Sequence, residues 1–378
     1  MDRPQPDDFA SLDWSSARPT GPANPTPPSV AEVWAPPVLV QKPERKWKYL
    51  ALLLATLVTT TGVGGLHYAA WALDFGDAPL DLTTTQLTLR GFWYSLSALG
   101  ILGAHEMGHY LTCRYYKVDA SLPYFLPAPF LTGTLGAFIR IRQPIPTKRA
   151  LFDIGIAGPI AGFVVAIPVL WIGMGLSHVV EIPPDFQGME LGEPLLFRMV
   201  AWLRWGTLQD GYTINLHPMA FAAWFGLLAT ALNLIPIGQL DGGHIAYAVL
   251  GRASTYLTLA MVGCLVILSF VSASWIIWTV MTLAMLWKFG PRHPPTYDHD
   301  VPLDGSRRWL AAGALLMFVL CFTPAPIEPL DLVQPAPAPA RRDPELEART
   351  QRPASAAGRA PRAARAPSSD PRQSTPGA

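Results

Sequence analysis

Residues 91–112 read GFWYSLSALGILGAHEMGHYLT, and this stretch decides the fold. It is apolar over most of its length, and about 20 such residues are enough for a helix to cross a bilayer. Near its end, however, it carries His105, Glu106 and His109. Ionisable side chains inside a membrane span cost free energy, so their presence here indicates a functional site. The stretch therefore predicts a membrane helix that carries chemistry.

Further apolar runs lie on both sides of this one, and the chain is 50% hydrophobic and only 15% charged. Soluble domains carry about 25% charged residues, so a soluble globular enzyme is excluded. The runs 255–270 and 274–288 are short and nearly continuous, so they form either a tight helical hairpin or one tilted helix. The sequence predicts an all-α polytopic membrane protein with six or seven transmembrane helices. The predicted spans are residues 49–72, 91–112, 150–176, 217–235, 255–270, 274–288 and 309–323.

The two ends of the chain differ from this apolar middle. Of the 39 prolines, 22 lie in residues 1–43 and 324–378. Segments of this composition cannot bury enough apolar surface to fold. We therefore expect a disordered, Pro-rich cytoplasmic tail over 1–47 and a disordered Ala/Pro/Arg-rich tail over 324–378. The transmembrane domain between them covers 48–323.

Composition excludes several other classes of protein. The three cysteines, Cys113, Cys264 and Cys321, are far apart and show neither a disulfide framework nor a metal-binding spacing. A net charge of +1 gives no reason to expect nucleic-acid binding. The acidic residues near the N-terminus fit neither a signal peptide nor a transit peptide, and we expect neither there.

The distribution of Lys and Arg predicts the orientation in the membrane, because cytoplasmic loops carry an excess of these residues. The four basic residues at 42–48 place the N-terminus in the cytoplasm. The loop 73–90 has three acids against one arginine and fits the outside, whereas the loop after span 91–112 is basic and fits the inside. The motif at 105–109 thus lies toward the cytoplasmic side. With seven spans, the Arg-rich C-terminal tail falls outside, against this trend.

The motif His105-Glu106-Met107-Gly108-His109 has the form H-E-x-x-H. Residues i and i+4 of a helix lie one above the other, so the two imidazoles can bind one ion. Glu106 is about 100° around the helix, within reach of a water beside that ion. This arrangement is typical of zinc hydrolases, in which the carboxylate takes and later returns a proton.

A zinc site of this kind needs a third protein ligand, and Asp241 is the best candidate. It lies in the segment NLIPIGQLDGG, residues 233–243, just after the span 217–235. That span runs in the same direction as 91–112, so Asp241 and the histidines are expected on the same side of the membrane. Without the histidines, Asp241 would be read as an ordinary Asp-Gly turn. Pro236 and the two glycines predict a break in the helix here.

These motifs together resemble the site-2 protease family of intramembrane zinc metalloproteases, peptidase family M50. The resemblance covers residues 90–250, which would form the core of a transmembrane protease domain at 48–323. It rests on the HEMGH motif at 105–109, on the N-x-x-P-x-x-x-x-D-G pattern at 233–242, and on GIAGP at 155–159.

The resemblance implies a role for each matching residue. His105, His109 and Asp241 would be ligands of Zn2+, with Glu106 as the general base. Asn233 would hold the substrate backbone or the oxyanion. Gly155 and Gly158 would let their helix approach the metal helix closely, as small residues do in membrane helix packing.

The resemblance also implies a substrate class: the transmembrane segments of other membrane proteins. Residues 138–142 alternate like a strand, and residues 124–126 are placed to pair with them. In the family, a membrane-associated β-hairpin lies here and offers an edge for strand addition by the substrate. A simple amphipathic loop at the interface is the alternative. The longest outside loop is too short for a PDZ domain, so the chain looks similar to the PDZ-less members of bacteria and plastids.

Two other functions remain open on the sequence. A metal-ion or proton transporter could use the same His/Glu/Asp cluster, although the spacing favours the peptidase. An inactive relative acting as a scaffold is disfavoured by the intact motif residues. We expect a protein of the bacterial inner membrane, in contact with lipid and with transmembrane protein substrates, and with access to its site controlled by a regulatory partner protein.

Overall fold

The structure is a computed structural model that describes residues 45–76, 79–130, 132–183, 187–298 and 300–331. The two predicted disordered tails lie outside these residues for nearly all of their length. The helices and strands belong to one compact unit that begins at Trp47.

All seven apolar runs predicted as spans are helical, and two short helices, α4 and α6, lie between them. The helix bounds are α1 Trp47–Ala72, α2 Thr84–Tyr115, α3 Lys148–Leu176, α4 Leu195–Trp205, α5 Pro218–Leu234, α6 Asp241–Leu250, α7 Ser254–Val271, α8 Ser274–Phe289 and α9 Gly305–Cys321.

Three helical stretches are long and apolar enough to cross a membrane, judged by length and composition: Trp47–Ala72, Lys148–Leu176 and Asp241–Val271. α2 is longer than any single one of them, at 32 residues, but polar and ionisable side chains interrupt it. The protein is therefore mostly helical, with helices that are able to span a membrane. The number of six or seven spans stays a prediction.

α2 lies at the centre of the fold, between α1, α3 and α5. Glycines bring these helices into close contact, because a Cβ at Gly91 of α2 would overlap the backbone of α1 and one at Gly108 would overlap that of α3. The largest apolar core joins Ile101 of α2, Leu170 of α3 and Trp224 of α5. The motif helix is thus held by neighbours on several sides.

A β-hairpin follows α2, as the sequence predicted, although its second strand begins earlier. Strands β1, Tyr124–Pro127, and β2, Thr134–Phe138, are antiparallel, and Tyr124 is opposite Phe138. The predicted second strand, 138–142, overlaps β2 only at Phe138, the last residue of β2. Beyond it, Ile141 forms a single bridge to Ala120. Thr134 explains part of the shift, because its hydroxyl donates to the Leu126 carbonyl and so fixes the register of the turn.

Two further antiparallel pairs join loop segments at the other end of the bundle. β3, His178–Glu181, pairs with β5, Tyr212–Asn215, and β4, Gln187–Leu191, pairs with β6, Ile327–Asp331. β6 differs from the expectation that everything from residue 324 is a disordered tail. Its composition is tail-like, but the backbone pairing with β4 orders it.

The two short runs near residue 272 form separate helices. α7 ends at Val271, and α8 begins at Ser274 and packs against it. The hydroxyls of Ser269 and Thr279 are 2.9 Å apart across the turn. The helical hairpin is therefore the correct one of the two alternatives.

Candidate functional site

The motif helix α2 begins with a strong helix-start signal. Thr83 and Gln86 form a capping box, in which the Gln86 N–H donates to the Thr83 hydroxyl and the Thr83 N–H donates to the Gln86 side chain. From this start the helix continues without a break through the motif. His105 and His109 are one turn apart, both buried, and their Nε2 atoms are 3.1 Å apart.

Asp241 reaches the two histidines because α5 ends before it. The chain leaves α5 at Leu234, turns through Pro236 and Gly238, and starts α6 at Asp241. Gly242 is required at this turn, because a Cβ there would overlap the Leu234 carbonyl. The break predicted from Pro236 and the glycines is therefore present, and it places the Asp241 carboxylate opposite α2.

The three side chains form a nearly equilateral triangle of donor atoms. Asp241 Oδ2 is 3.2 Å from His105 Nε2 and 3.3 Å from His109 Nε2. Zinc binds His and Asp at about 2.0–2.2 Å in tetrahedral geometry, which puts neighbouring ligand atoms about 3.3 Å apart. The spacing and the donor types therefore fit zinc. Among the described residues, one group of at least three His, Cys, Asp or Glu side chains could hold a metal ion, and it is this triangle.

The orientation of His109 is set by a backbone group. Its Nδ1–H donates to the carbonyl oxygen of Ile154 in α3 at 2.7 Å. In the neutral imidazole this bond places the proton on Nδ1, and it turns Nε2 toward the triangle, as metal-binding histidines require. No motif marks Ile154, because a carbonyl is present at every residue, so sequence reasoning missed this contact.

Gly155 and Gly158 lie where α3 passes the site. A Cβ at Gly158 would overlap the His109 imidazole. A Cβ at Gly155 would lie 3.0 Å from the Cβ of His244 and 3.5 Å from the Asp241 carbonyl. The first distance is tighter than ordinary van der Waals contact. α3 therefore touches both α2 and α6 at the positions where it has no side chain.

Glu106 is buried beside the triangle and contributes none of its three donor atoms. Its carboxylate lies near the backbone N–H of Ile139, one residue after β2. The residue after the hairpin thus lies beside this side chain. The contact was also missing from the sequence analysis, since a backbone N–H carries no sequence signal.

Asn233 lies in the last turn of α5 and faces the same group. Its amide nitrogen is 3.3 Å from His105 Nε2. The structure therefore brings all five polar side chains selected from the sequence together. One further pair is nearby: His244, in the first turn of α6, donates from Nδ1 to Nε2 of His293 at 2.7 Å. His293 is partly buried against α6.

A comparison with known protein families bears on this geometry. Residues 93–270 match the model of peptidase family M50. This segment belongs to family M50. The resemblance to the site-2 proteases is thereby confirmed, and the M50 segment contains the whole donor triangle together with Glu106 and Asn233.

Curated relatives of the M50 segment carry consistent names. The chain is 31% identical over 224 residues to a protein named probable zinc metalloprotease EGY2, chloroplastic, of Arabidopsis thaliana, covering 58% of this chain and 39% of the relative. It is 34% identical over 171 residues to probable zinc metalloprotease EGY1, chloroplastic, of Oryza sativa subsp. japonica, covering 42% and 28%. The chain thus spans well under half of the length of these relatives. No solved structure matches.

Proposed function

We propose that the protein is an intramembrane zinc endopeptidase that cuts peptide bonds in or near transmembrane segments of other membrane proteins. The observation that carries the proposal is the triangle of His105, His109 and Asp241 with Glu106 beside it. The M50 family and the names of the relatives support it. No feature of the described residues favours the transporter alternative.

In this proposal each side chain of the site has a separate task. His105, His109 and Asp241 hold the zinc ion, which when bound acts as a Lewis acid and makes water nucleophilic at neutral pH. Glu106 accepts a proton from the attacking water and returns it to the nitrogen of the leaving amine. The Ile139 N–H, which lies near this carboxylate, is proposed to keep it in place for both transfers.

Asn233 is proposed to bind the substrate beside the ligands. Its amide lies within 3.3 Å of His105, so a peptide carbonyl approaching the ion would also approach this side chain. An amide N–H directed at a carbonyl that becomes negatively charged in the transition state stabilises that charge. Asn233 is uncharged and keeps this donor at any pH.

The β-hairpin is proposed to receive the substrate as an added strand. β1 and β2 pair only with each other among the described strands, so each leaves one edge unpaired. β2 ends one residue before Ile139, whose N–H lies near the Glu106 carboxylate. A substrate segment bound along β2 would therefore run toward the site in the extended form that a peptidase needs.

For the membrane topology we propose seven spans with a cytoplasmic N-terminus and the site toward the cytoplasm. Two contacts support the direction of the last helix. Arg307, at the start of α9, pairs with Asp153 at the start of α3, and β6, after α9, pairs with β4, after α3. α9 and α3 therefore run in parallel, and in the proposed topology both cross from inside to outside.

We further propose a bacterial inner membrane as its location, lipid and transmembrane proteins as its partners, and a regulatory protein that controls access. Residues 48–323, with their core at 90–250, would form the protease domain between the two tails. The basic residues before α1 and the lack of an outside loop of PDZ-domain size support these points.

The test is cleavage of a reconstituted transmembrane peptide by the purified protein, comparing wild type with Glu106→Gln. Glutamine keeps the size of the side chain but cannot accept the proton. We expect the variant to retain zinc and to lose at least about 100-fold in cleavage rate, as general-base removal does. Mass spectrometry of the products locates the cut bond. Undiminished cleavage by Glu106→Gln would refute the general-base role.

A further inference from the structure

The guanidinium of Arg307 joins three elements at the end of the bundle that holds the metal ligands. Its Nε donates to Asp153 Oδ1 at 2.8 Å and its Nη2 donates to Oδ2 at 2.5 Å, which makes a two-pronged pair with α3. Nη2 is also 3.4 Å from the hydroxyl of Tyr116, which follows α2 and itself donates to Asp153. Nη1 donates to Asp304, the residue that precedes α9.

This cluster is partly buried, since Arg307 and Asp153 are 23% and 22% exposed. Asp304 caps α9 by accepting from the Arg307 N–H. This backbone bond and the guanidinium hold the pKa of the Asp304 carboxyl below its usual range, so it is ionised at neutral pH. Arg149 of α3 also faces Asp304 at 3.7 Å, and the two arginines balance the two carboxylates. Planar, two-pronged Arg–carboxylate pairs are the geometrically specific kind of ion pair.

Asp153 is directly followed by Ile154, whose carbonyl accepts the Nδ1–H of His109. The Ile154 side chain is buried against Cys113 of α2. Asp153, which Arg307 holds, is therefore joined by one peptide bond to Ile154. The Ile154 carbonyl orients His109, a proposed metal ligand. A shift of α3 at this point would move that carbonyl relative to α2.

We infer that Arg307 is a positioning residue for the metal centre: by holding Asp153 and Tyr116 together, it fixes α3 against α2 and so fixes the Ile154 carbonyl that orients His109. α9 lies outside the M50 segment at 93–270. The inference thus assigns a supporting role at the metal site to a helix outside that segment. It rests on the metal site of the proposed function, but not on peptide cleavage.

The test measures zinc affinity by competition with a chelator, together with the visible absorption spectrum of the Co2+-substituted protein. We expect Arg307→Ala to weaken zinc binding about 10-fold, which is the lower end of the effect of losing a group that supports a ligand. The Co2+ spectrum should change, because the orientation of His109 changes. Arg307→Lys keeps one charge–charge contact and should recover part of the affinity.

Arg308→Ala is the matched control, because Arg308 is the next residue of α9 and its side chain bonds only the Leu303 carbonyl among the side-chain bonds that the structure describes for it. It should leave both readouts unchanged. If Arg307→Ala does not fold, Tyr116→Phe removes only one hydroxyl from the cluster and should weaken zinc binding by a smaller factor. Wild-type zinc affinity and Co2+ spectrum in Arg307→Ala, or in a folded Tyr116→Phe, would overturn the inference.

The outcomes separate this inference from the proposed function. A wild-type protein that binds zinc but cleaves no peptide contradicts the peptidase proposal and leaves the Arg307 measurement intact. A wild-type protein that cleaves, with an Arg307→Ala variant that binds zinc equally well, contradicts the positioning role alone.

Discussion

At the scale of single residues, the site depends on backbone atoms and on missing side chains as much as on its ligands. The Ile154 carbonyl orients His109, and the Ile139 N–H lies beside the Glu106 carboxylate. Gly158 leaves room for the His109 imidazole. These groups determine whether three suitable side chains form one metal site, because ligand atoms must be held within a few tenths of an ångström.

Gly158→Ala tests this directly. The added methyl group would overlap the His109 ring, and such overpacking costs about 1–3 kcal/mol. Moving the ring instead would misplace Nε2, so we expect zinc affinity to fall about 10-fold or more. Gly263→Ala in α7 is the control, since a Cβ there meets no atom within 4 Å. Equal zinc affinity in the two variants would show that the fit at Gly158 does not matter.

At the scale of elements, the donor set could be predicted from the sequence but its supports could not. The i, i+4 spacing of His105 and His109 is a property of any helix, so the motif alone predicted that the two rings share a face. The role of Asp241 as the third ligand was predicted from the resemblance and from the predicted direction of the span before it. The register of β2 depends on its turn, and the existence of β6 depends on backbone pairing with the distant β4; hydrophobic pattern reports neither.

The pairing of β4 with β6 can be tested by a disulfide. Met189 and Pro329 are directly opposite each other, so Met189→Cys with Pro329→Cys should cross-link under mild oxidation. Glu181→Cys with Pro329→Cys is the control, because Glu181 belongs to the β3–β5 sheet. A Cys264→Ser background removes the exposed native thiol. If the first pair stays reduced on a non-reducing gel, the pairing and the parallel course of α3 and α9 are contradicted.

At the scale of the whole molecule, an apolar and weakly charged chain encloses a small polar centre. α2, α3, α5 and α6 supply the groups of the site, and α9 is tied to them through Arg307. Composition predicted the membrane-embedded, helical character, because so few charged residues exclude a water-exposed fold. It could not predict that the chain beyond α8 returns to support the centre, since a single arginine has no periodic pattern.

The central claim is that His105, His109 and Asp241 hold one zinc ion. Elemental analysis of the purified full chain in detergent measures this most directly, with His105→Ala and Glu106→Gln alongside wild type. We predict about one zinc per chain in wild type and in Glu106→Gln, and little or none in His105→Ala, since two remaining ligands do not complete a zinc site. Wild-type protein without bound metal, or His105→Ala with as much zinc as wild type, would contradict the claim.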